Sequence, residues 1–216
     1  MPLWYRICRA ICLSFARLLY GFTVRGLENV PKSGPLIVAA NHSRYADTAI
    51  AILAIPRRMR AMVKKEAFRF PFGGLLGLVA FPVDREKGGF GGLREARELL
   101  SDGAVVGIAP EGSRRRECAP SGELPKGGMA WLAARSGAPV LPIHLGEAPA
   151  FGAGLRGERL VVHIGEPISV DRGLRGGRAY REVSAEVLRT IYELPGKGDT
   201  RELGRTQEPV TGGVGT

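Results

Sequence analysis

Short apolar runs alternate with amphipathic segments along most of the chain. The clearest run, Leu36–Ala40, follows a proline and contains no polar residue, which is typical of a strand buried on both faces. From Leu93 to Leu100, leucine and alanine recur at helical spacing, and Ser101-Asp102-Gly103 ends that segment. The same pattern predicts further strands over Arg60–Val63, Leu78–Val83, Ala104–Ile108, Pro139–Leu145 and Leu160–Ile164, and helices over Thr48–Ile55, Gly128–Arg135 and Tyr180–Ile191. This alternation indicates an α/β fold with a mixed, mostly parallel central sheet flanked by helices.

The first 26 residues have a different pattern, in which four arginines and no acidic residue are interspersed with large apolar side chains. A secretory signal would need a longer charge-free run and a cleavage site. A membrane-spanning helix of about 20 apolar residues would have to bury Arg9 and Arg17. We therefore expect residues 1–26 to form an amphipathic helix at a membrane interface, with packing on the protein's own core as the alternative.

The rest of the chain contains no linker that would divide it. We expect one folded domain over residues 27–194. Residues 195–216 are rich in Gly, Thr and Pro and lack periodicity, which predicts a disordered tail.

The formal charge of +10 suggests a polyanionic partner: nucleic acid, an anionic membrane or a phosphorylated small molecule. Nucleic-acid binding is disfavoured, because aromatic residues make up only 7% of the chain and no recognised motif is present. The three cysteines are odd in number and lack CxxC spacing, which argues against a disulfide framework and favours a reducing compartment. His144 and His163 have no partners at metal-ligand spacing, so we expect no metal site.

Polar residues follow the predicted strands, where α/β proteins bind their ligands. His42 lies at the exit of the first buried strand, after Asn41, and Asp47 follows five residues later in the first turn of the next helix. A carboxylate that accepts the Nδ1–H of a histidine leaves Nε2 free as a general base, which suits a reaction whose substrate supplies the nucleophilic hydroxyl. The alternative is that both residues are solvated or cap the helix.

Basic residues follow three further strands. Lys65 follows one of them, Arg85 another, and the turn Pro110–Arg114 the third. Arginine suits bidentate binding of phosphate, and Gly112 and Ser113 allow close backbone approach and a hydroxyl contact. Together these strand ends would form a site for a phosphate ester that carries a hydroxyl. Arg115 and Arg116 are more simply explained as a solvated basic loop.

These residues resemble the motifs of the 1-acylglycerol-3-phosphate acyltransferase family of glycerolipid acyltransferases. Four blocks occur in the family's order over roughly residues 27–170: Asn41-His42 with Asp47; Lys65-Glu66 with Pro71, Gly74 and Phe81–Arg85; Pro110–Arg114; and Ala138–Pro142. One departure is Ala67, where the family often has leucine. The N-terminal segment is also shorter than the two-helix membrane module of some members.

The resemblance implies that residues 27–194 are an acyltransferase domain. It would transfer an acyl group from acyl-CoA or acyl carrier protein to the sn-2 hydroxyl of lysophosphatidic acid, giving phosphatidic acid without a cofactor. His42 would be the general base and Asp47 its orienting partner. The resemblance also implies a phosphate-binding set of Lys65, Arg85, Glu111, Gly112, Ser113 and Arg114, and a hydrophobic acyl pocket at Val140, Leu141 and Pro142.

The expected location is the cytoplasmic face of the cell membrane, with peripheral or monotopic attachment. Two other functions stay open: acylation of a different lysophospholipid or alcohol, and non-catalytic binding to a lipid surface. The apolar stretch Phe68–Leu78, too short to span a bilayer, is an acyl tunnel, a membrane contact or ordinary core.

Overall fold

A computed structural model describes residues 3–41, 47–65, 80–83, 90–110, 125–147 and 149–195. Within these ranges the strands are β1 Thr23–Arg25, β2 Leu36–Ala40, β3 Met59–Lys64, β4 Ala80–Val83, β5 Val105–Ile108, β6 Val140–Leu145 and β7 Val161–Ile164. The α-helices are α1 Leu3–Tyr20, α2 Asp47–Ala54, α3 Phe90–Ser101, α4 Gly128–Ser136 and α5 Gly177–Glu193. Short 3-10 helices cover Leu27–Asn29 and Ala153–Arg156. Of the predicted strands and helices, only the start of the strand over Leu78–Val83 lies outside the described residues. The apolar stretch Phe68–Leu78 and the predicted tail after residue 195 also lie outside them.

The strands form one seven-stranded sheet in the order β1-β7-β6-β2-β5-β3-β4. From β6 to β4 all neighbours are parallel, whereas β7 is antiparallel to β6 and pairs in parallel with β1. The mixed, mostly parallel sheet predicted from the sequence is therefore confirmed. Because β2, β5 and β3 are adjacent and run in one direction, their carboxyl ends meet at a single edge of the sheet.

Side chains of β2 alternate between two apolar layers, which explains why this strand has no polar residue. Leu36 and Val38 pack in the layer beneath α1 and α2. Ile37 and Ala39 pack in the opposite layer with residues of α3, α4 and α5. The predicted stop of α4 is also present, because Gly137 adopts a left-handed conformation (φ 68°) and its N–H bonds to the carbonyl of Ala133.

Helix α1 packs on the domain along one face and is exposed along the other. One face packs on the domain: Tyr5 is buried, Leu13 and Ala16 contact the core, and the Arg9 guanidinium donates to the carbonyl of Leu53 in α2 at 2.8 Å. The other face carries a stripe of six apolar side chains that are between 43% and 69% exposed, here called the α1 stripe: Leu3, Trp4, Ile7, Ile11, Phe15 and Leu18.

The predicted N-terminal segment 1–26 is only partly helical. The chain turns at Gly21 (φ 58°), buries Phe22 and continues as β1, the edge strand of the sheet. Among the described helices, none has the length and apolar content required to cross a bilayer.

Candidate active site

A cavity of about 450 Å³ lies at the carboxyl edge of the sheet, where β2, β5 and β6 end. Strand residues, the start of α2 and the start of α4 and α5 all contribute to its wall, so the cavity spans the edge between the two helical layers. Its volume is within the range typical of small-molecule sites, about 300–1,000 Å³. The wall includes Val38, Ala40, Asn41, Asp47, Thr48, Met59, Met62, Gly107–Pro110, Met129, Trp131, Leu145 and Tyr180.

Asn41 joins the end of β2 to the end of β6. Its side-chain amide donates to the carbonyl of Leu145 at 3.0 Å, and its Oδ1 accepts the N–H of Leu145 at 2.7 Å. The backbone pairing of these strands ends at Ala40 and Ile143, so the Asn41 side chain extends the connection beyond the last paired residues. Because both bonds are made by one planar amide, they fix the position of Asn41 relative to Leu145.

Asp47 is the first residue of α2 and lies on the cavity wall beside Thr48. Its side chain is 6% exposed, and the positive end of the helix dipole favours a carboxylate at this position. Asn41 and Asp47, which flank residues 42–46 in the sequence, therefore both lie on the cavity wall. The predicted base His42 belongs to that segment and lies outside the described residues.

Part of the predicted phosphate set is also outside the described residues: Arg85, Glu111, Gly112, Ser113 and Arg114. Lys65 is half-buried and directly follows β3, which neighbours β5. Ala109 and Pro110, which directly precede Glu111 in the sequence, line the cavity. The convergence of this set on one phosphate stays a prediction.

The structure places the predicted acyl pocket residues in the core. Val140 and Leu141 are fully buried in opposite layers of the sheet, and Pro142 lies between them and Ile143 in β6. None of the three is part of the described cavity wall, because they form the amino-terminal half of β6 and the cavity lies at its carboxyl end. Leu145, at the carboxyl end of the same strand, lines the cavity instead.

Several wall residues were not predicted from the sequence. Met59, Met129 and Trp131 give the cavity an apolar lining, and Lys126 and Arg181 add positive charge to it. Gly107 is the sequence signal that could have indicated this part of the cavity, because a glycine inside a buried strand often marks the close approach of a ligand or of another chain segment. A Cβ at this position would lie 3.1 Å from the Sδ and Cε atoms of Met59.

His144 and His163 face each other across β6 and β7, with ring centroids 6.3 Å apart. Neither belongs to the described cavity wall. Burial, followed by the charge of His163, lowers the pKa of His144 to about 4, so this ring is neutral near pH 7.

Comparisons with known proteins agree with this fold and these motifs. The Acyltransferase family model matches residues 21–146, more than half of the chain. A 1-acyl-sn-glycerol-3-phosphate acyltransferase of Bacillus subtilis is 32% identical over 141 residues, which are 64% of this chain and 69% of that protein. One from Pseudomonas aeruginosa is 33% identical over 127 residues, 56% of this chain and 48% of that protein.

A crystal structure of the 1-acyl-sn-glycerophosphate acyltransferase PlsC from Thermotoga maritima superimposes with a TM-score of 0.65 at 24% identity, covering 89% of this chain and 80% of that one. This likeness supports the fold. The family-model match and the ordered motifs show that the chain belongs to the Acyltransferase family. It is accordingly an enzyme of the acyl-transferring class.

Proposed function

We propose that this chain transfers a fatty acyl group from an acyl thioester to the sn-2 hydroxyl of 1-acylglycerol-3-phosphate, giving phosphatidic acid. The curated relatives carry names for this reaction. The chain spans about two thirds of the Bacillus relative and about half of the Pseudomonas one, so the complete reaction is inferred here from its own residues as well.

In the proposed reaction, His42 removes the proton of the lysolipid hydroxyl while Asp47 accepts the Nδ1–H of the ring. The hydroxyl oxygen attacks the thioester carbonyl and forms a tetrahedral intermediate. When that intermediate collapses, the carbon–sulfur bond breaks, the ester forms, and the leaving thiolate takes up the proton that His42 removed, which restores the neutral base. A thioester is already activated, so the reaction requires neither a covalent acyl-enzyme nor a cofactor.

One observation carries the proposal: Asn41 and Asp47 bring both ends of the motif segment to the wall of a mostly apolar cavity. A buried carboxylate at a helix start is suited to orient a histidine, and the apolar lining is suited to an acyl chain. In this proposal Lys65 and Arg114 supply positive charge for the acceptor's phosphate, as the motifs predict; Lys65 directly follows β3, and Pro110 lines the cavity. The acyl donor is either acyl-CoA or acyl carrier protein.

The chain has three histidines, so a histidine away from the described cavity wall can serve as a matched control for His42. The purified protein is assayed with lysophosphatidic acid against both donors, and with other lysolipids and simple alcohols as acceptors. We expect His42→Ala to abolish thioester-dependent transfer while the circular dichroism spectrum stays native. His163→Ala, outside the described cavity wall, is the control and keeps activity.

Each alternative has its own result in this assay. Full turnover of His42→Ala contradicts the proposed base. Preference for a different acceptor contradicts the assignment of lysophosphatidic acid. Lipid binding by the wild-type protein without any acyl transfer favours a non-catalytic lipid-binding role.

We further propose that the protein acts peripherally on the cytoplasmic face of the cell membrane, with the α1 stripe against anionic lipid. The stripe is exposed and apolar, and the first 27 residues hold four arginines and no acid. Apolar burial combined with basic residues is the usual basis for interfacial attachment of a helix. The exposed free thiols of Cys8 and Cys12 suit a reducing compartment.

A further inference from the structure

Among the described residues outside α1, the most exposed large apolar side chains lie in one short segment between β6 and β7. Phe151 is 74% exposed and Leu155 is 67% exposed, on and just before the 3-10 helix Ala153–Arg156. A loop tip normally carries small or polar residues, so two such side chains in one turn need an explanation. The segment is here called the 151–155 turn.

The 151–155 turn is fixed against the carboxyl end of α1. Ala153 is fully buried, and a Cβ on Gly154 would lie within 2.8 Å of backbone atoms of Gly21, Tyr20 and Leu18. The rings of Tyr20 and Phe151 meet edge to face with centroids 6.1 Å apart. The two exposed side chains are therefore held outward on a packed base, beside the end of the α1 stripe.

We propose that the 151–155 turn is a second membrane contact, which together with the α1 stripe forms one docking surface for an anionic bilayer. The inference rests on the membrane association proposed above and extends it to a separate segment of the chain. Near this turn, Arg17, Arg156 and Arg159 are exposed, and Glu158 is paired with Arg156 at 3.4 Å. This basic surround favours anionic lipid, whereas docking against a second copy would bring like charges together.

A second contact determines how the protein is oriented. A single interfacial helix can roll about its long axis, whereas a contact beside that axis fixes the roll. The chain leaves β6 at Leu145, on the cavity wall, and reaches Phe151 six positions later. The turn therefore lies at the same edge of the sheet as the carboxyl ends of β2 and β6 and the cavity. Docking of both segments directs that edge toward the bilayer, from which lipid substrates come.

The first experiment measures flotation of the full chain with phosphatidylcholine vesicles that contain or lack phosphatidylglycerol, without any acyl substrate. We expect Phe151→Ser combined with Leu155→Ser to lower partitioning onto the anionic vesicles by about tenfold. Leu27→Ser is the matched control, because Leu27 is 45% exposed but follows the opposite end of β1. Its partitioning should equal that of the wild-type protein.

The second experiment reports on the turn itself, even if the double variant folds poorly. The native cysteines are replaced by serine, and an environment-sensitive dye is attached at Leu155→Cys or, as the control, at Leu27→Cys. We expect the emission to shift to shorter wavelength on anionic vesicles only for the dye at position 155. The proposal is overturned if that dye stays in water while the protein binds, if the double variant binds like wild type, or if the protein dimerises through this surface instead of binding vesicles. Because no turnover is measured, the outcome is independent of whether the acyl-transfer proposal holds.

Discussion

The two hydrogen bonds from Asn41 to Leu145 make a quantitative prediction about the variant Asn41→Ala. Each bond contributes about 1 kcal/mol net, so their loss lowers the free energy of unfolding by about 2 kcal/mol. For a chain of this length, that loss corresponds to a decrease in Tm of about 4–8 °C. The protein should still be folded at 25 °C.

The effect on catalysis should be much larger than the effect on stability. Residue 42 follows Asn41, so release of Asn41 frees the backbone that carries the proposed base. A displacement of about 1 Å in such a group costs about 100-fold in rate. We therefore expect kcat for acyl transfer to fall by about 100-fold, with little change in the KM for either substrate. Steady-state kinetics and thermal unfolding on the same preparation measure both quantities.

Two further variants separate positioning from stability. Asn41→Asp keeps the oxygen that accepts the Leu145 N–H but places a second oxygen against the Leu145 carbonyl, so we expect it to be as slow as Asn41→Ala. Asn29 makes one similar bond, from its Nδ2 to the carbonyl of Ile164 at 3.0 Å, away from the described cavity wall. Asn29→Ala should lose about 1 kcal/mol of stability and no kcat. The positioning role is refuted if Asn41→Ala stays within about threefold of wild-type kcat, or if Asn29→Ala slows turnover equally.

Two other predictions follow from the described structure. Gly107→Ala should displace the flexible end of Met59 within the cavity, because the new Cβ would lie 3.1 Å from it; kcat/KM should then fall for long acyl donors relative to shorter ones, and an unchanged ratio would contradict an acyl-binding role of this wall. The pKa of His144 is about 4 in the folded protein and about 6.5 in the unfolded chain, so the unfolded chain binds the proton first as the pH falls. The free energy of unfolding is therefore highest above pH 6.5 and decreases between pH 6.5 and 4. Allowing for partial exposure of the ring, unfolding titrations of wild type and His144→Gln should differ in that pH window by about 2 kcal/mol, with the variant less sensitive to acid.

Strong local patterns were sufficient to predict most of the sheet. Leu36–Ala40 matches β2 residue for residue, since a strand buried on both faces must be apolar throughout. β1 was not predicted, because three residues at a sheet edge carry no alternation that a sequence reveals. The antiparallel pairing of β7 also had no signal, because the direction of a strand depends on a connection whose path is set by tertiary packing.

The candidate site was only partly accessible from the sequence. Asn41 and Asp47 were found because motif residues follow a clear strand, at the edge where α/β folds bind ligands. Met129 and Trp131 were not identified from the sequence, which predicts only a helix over Gly128–Arg135, because the pattern of a helix does not distinguish a core position from a cavity wall. The acyl pocket at Val140, Leu141 and Pro142 stays a prediction from the motif. The burial of these residues in the sheet was not evident from the sequence, because it depends on strands that are distant in the chain.

The edge strand β1 affects how this protein can be shortened for study. The Tyr20 carbonyl and the Thr23 N–H both bond to Leu160, and Phe22 is buried in the core. A truncation that removes α1 together with β1 would uncover the unpaired edge of β7 and an apolar hole, which are conditions for edge-to-edge aggregation. A form that stays in solution is therefore better sought by polar substitutions along the α1 stripe, with the backbone of the first 26 residues kept.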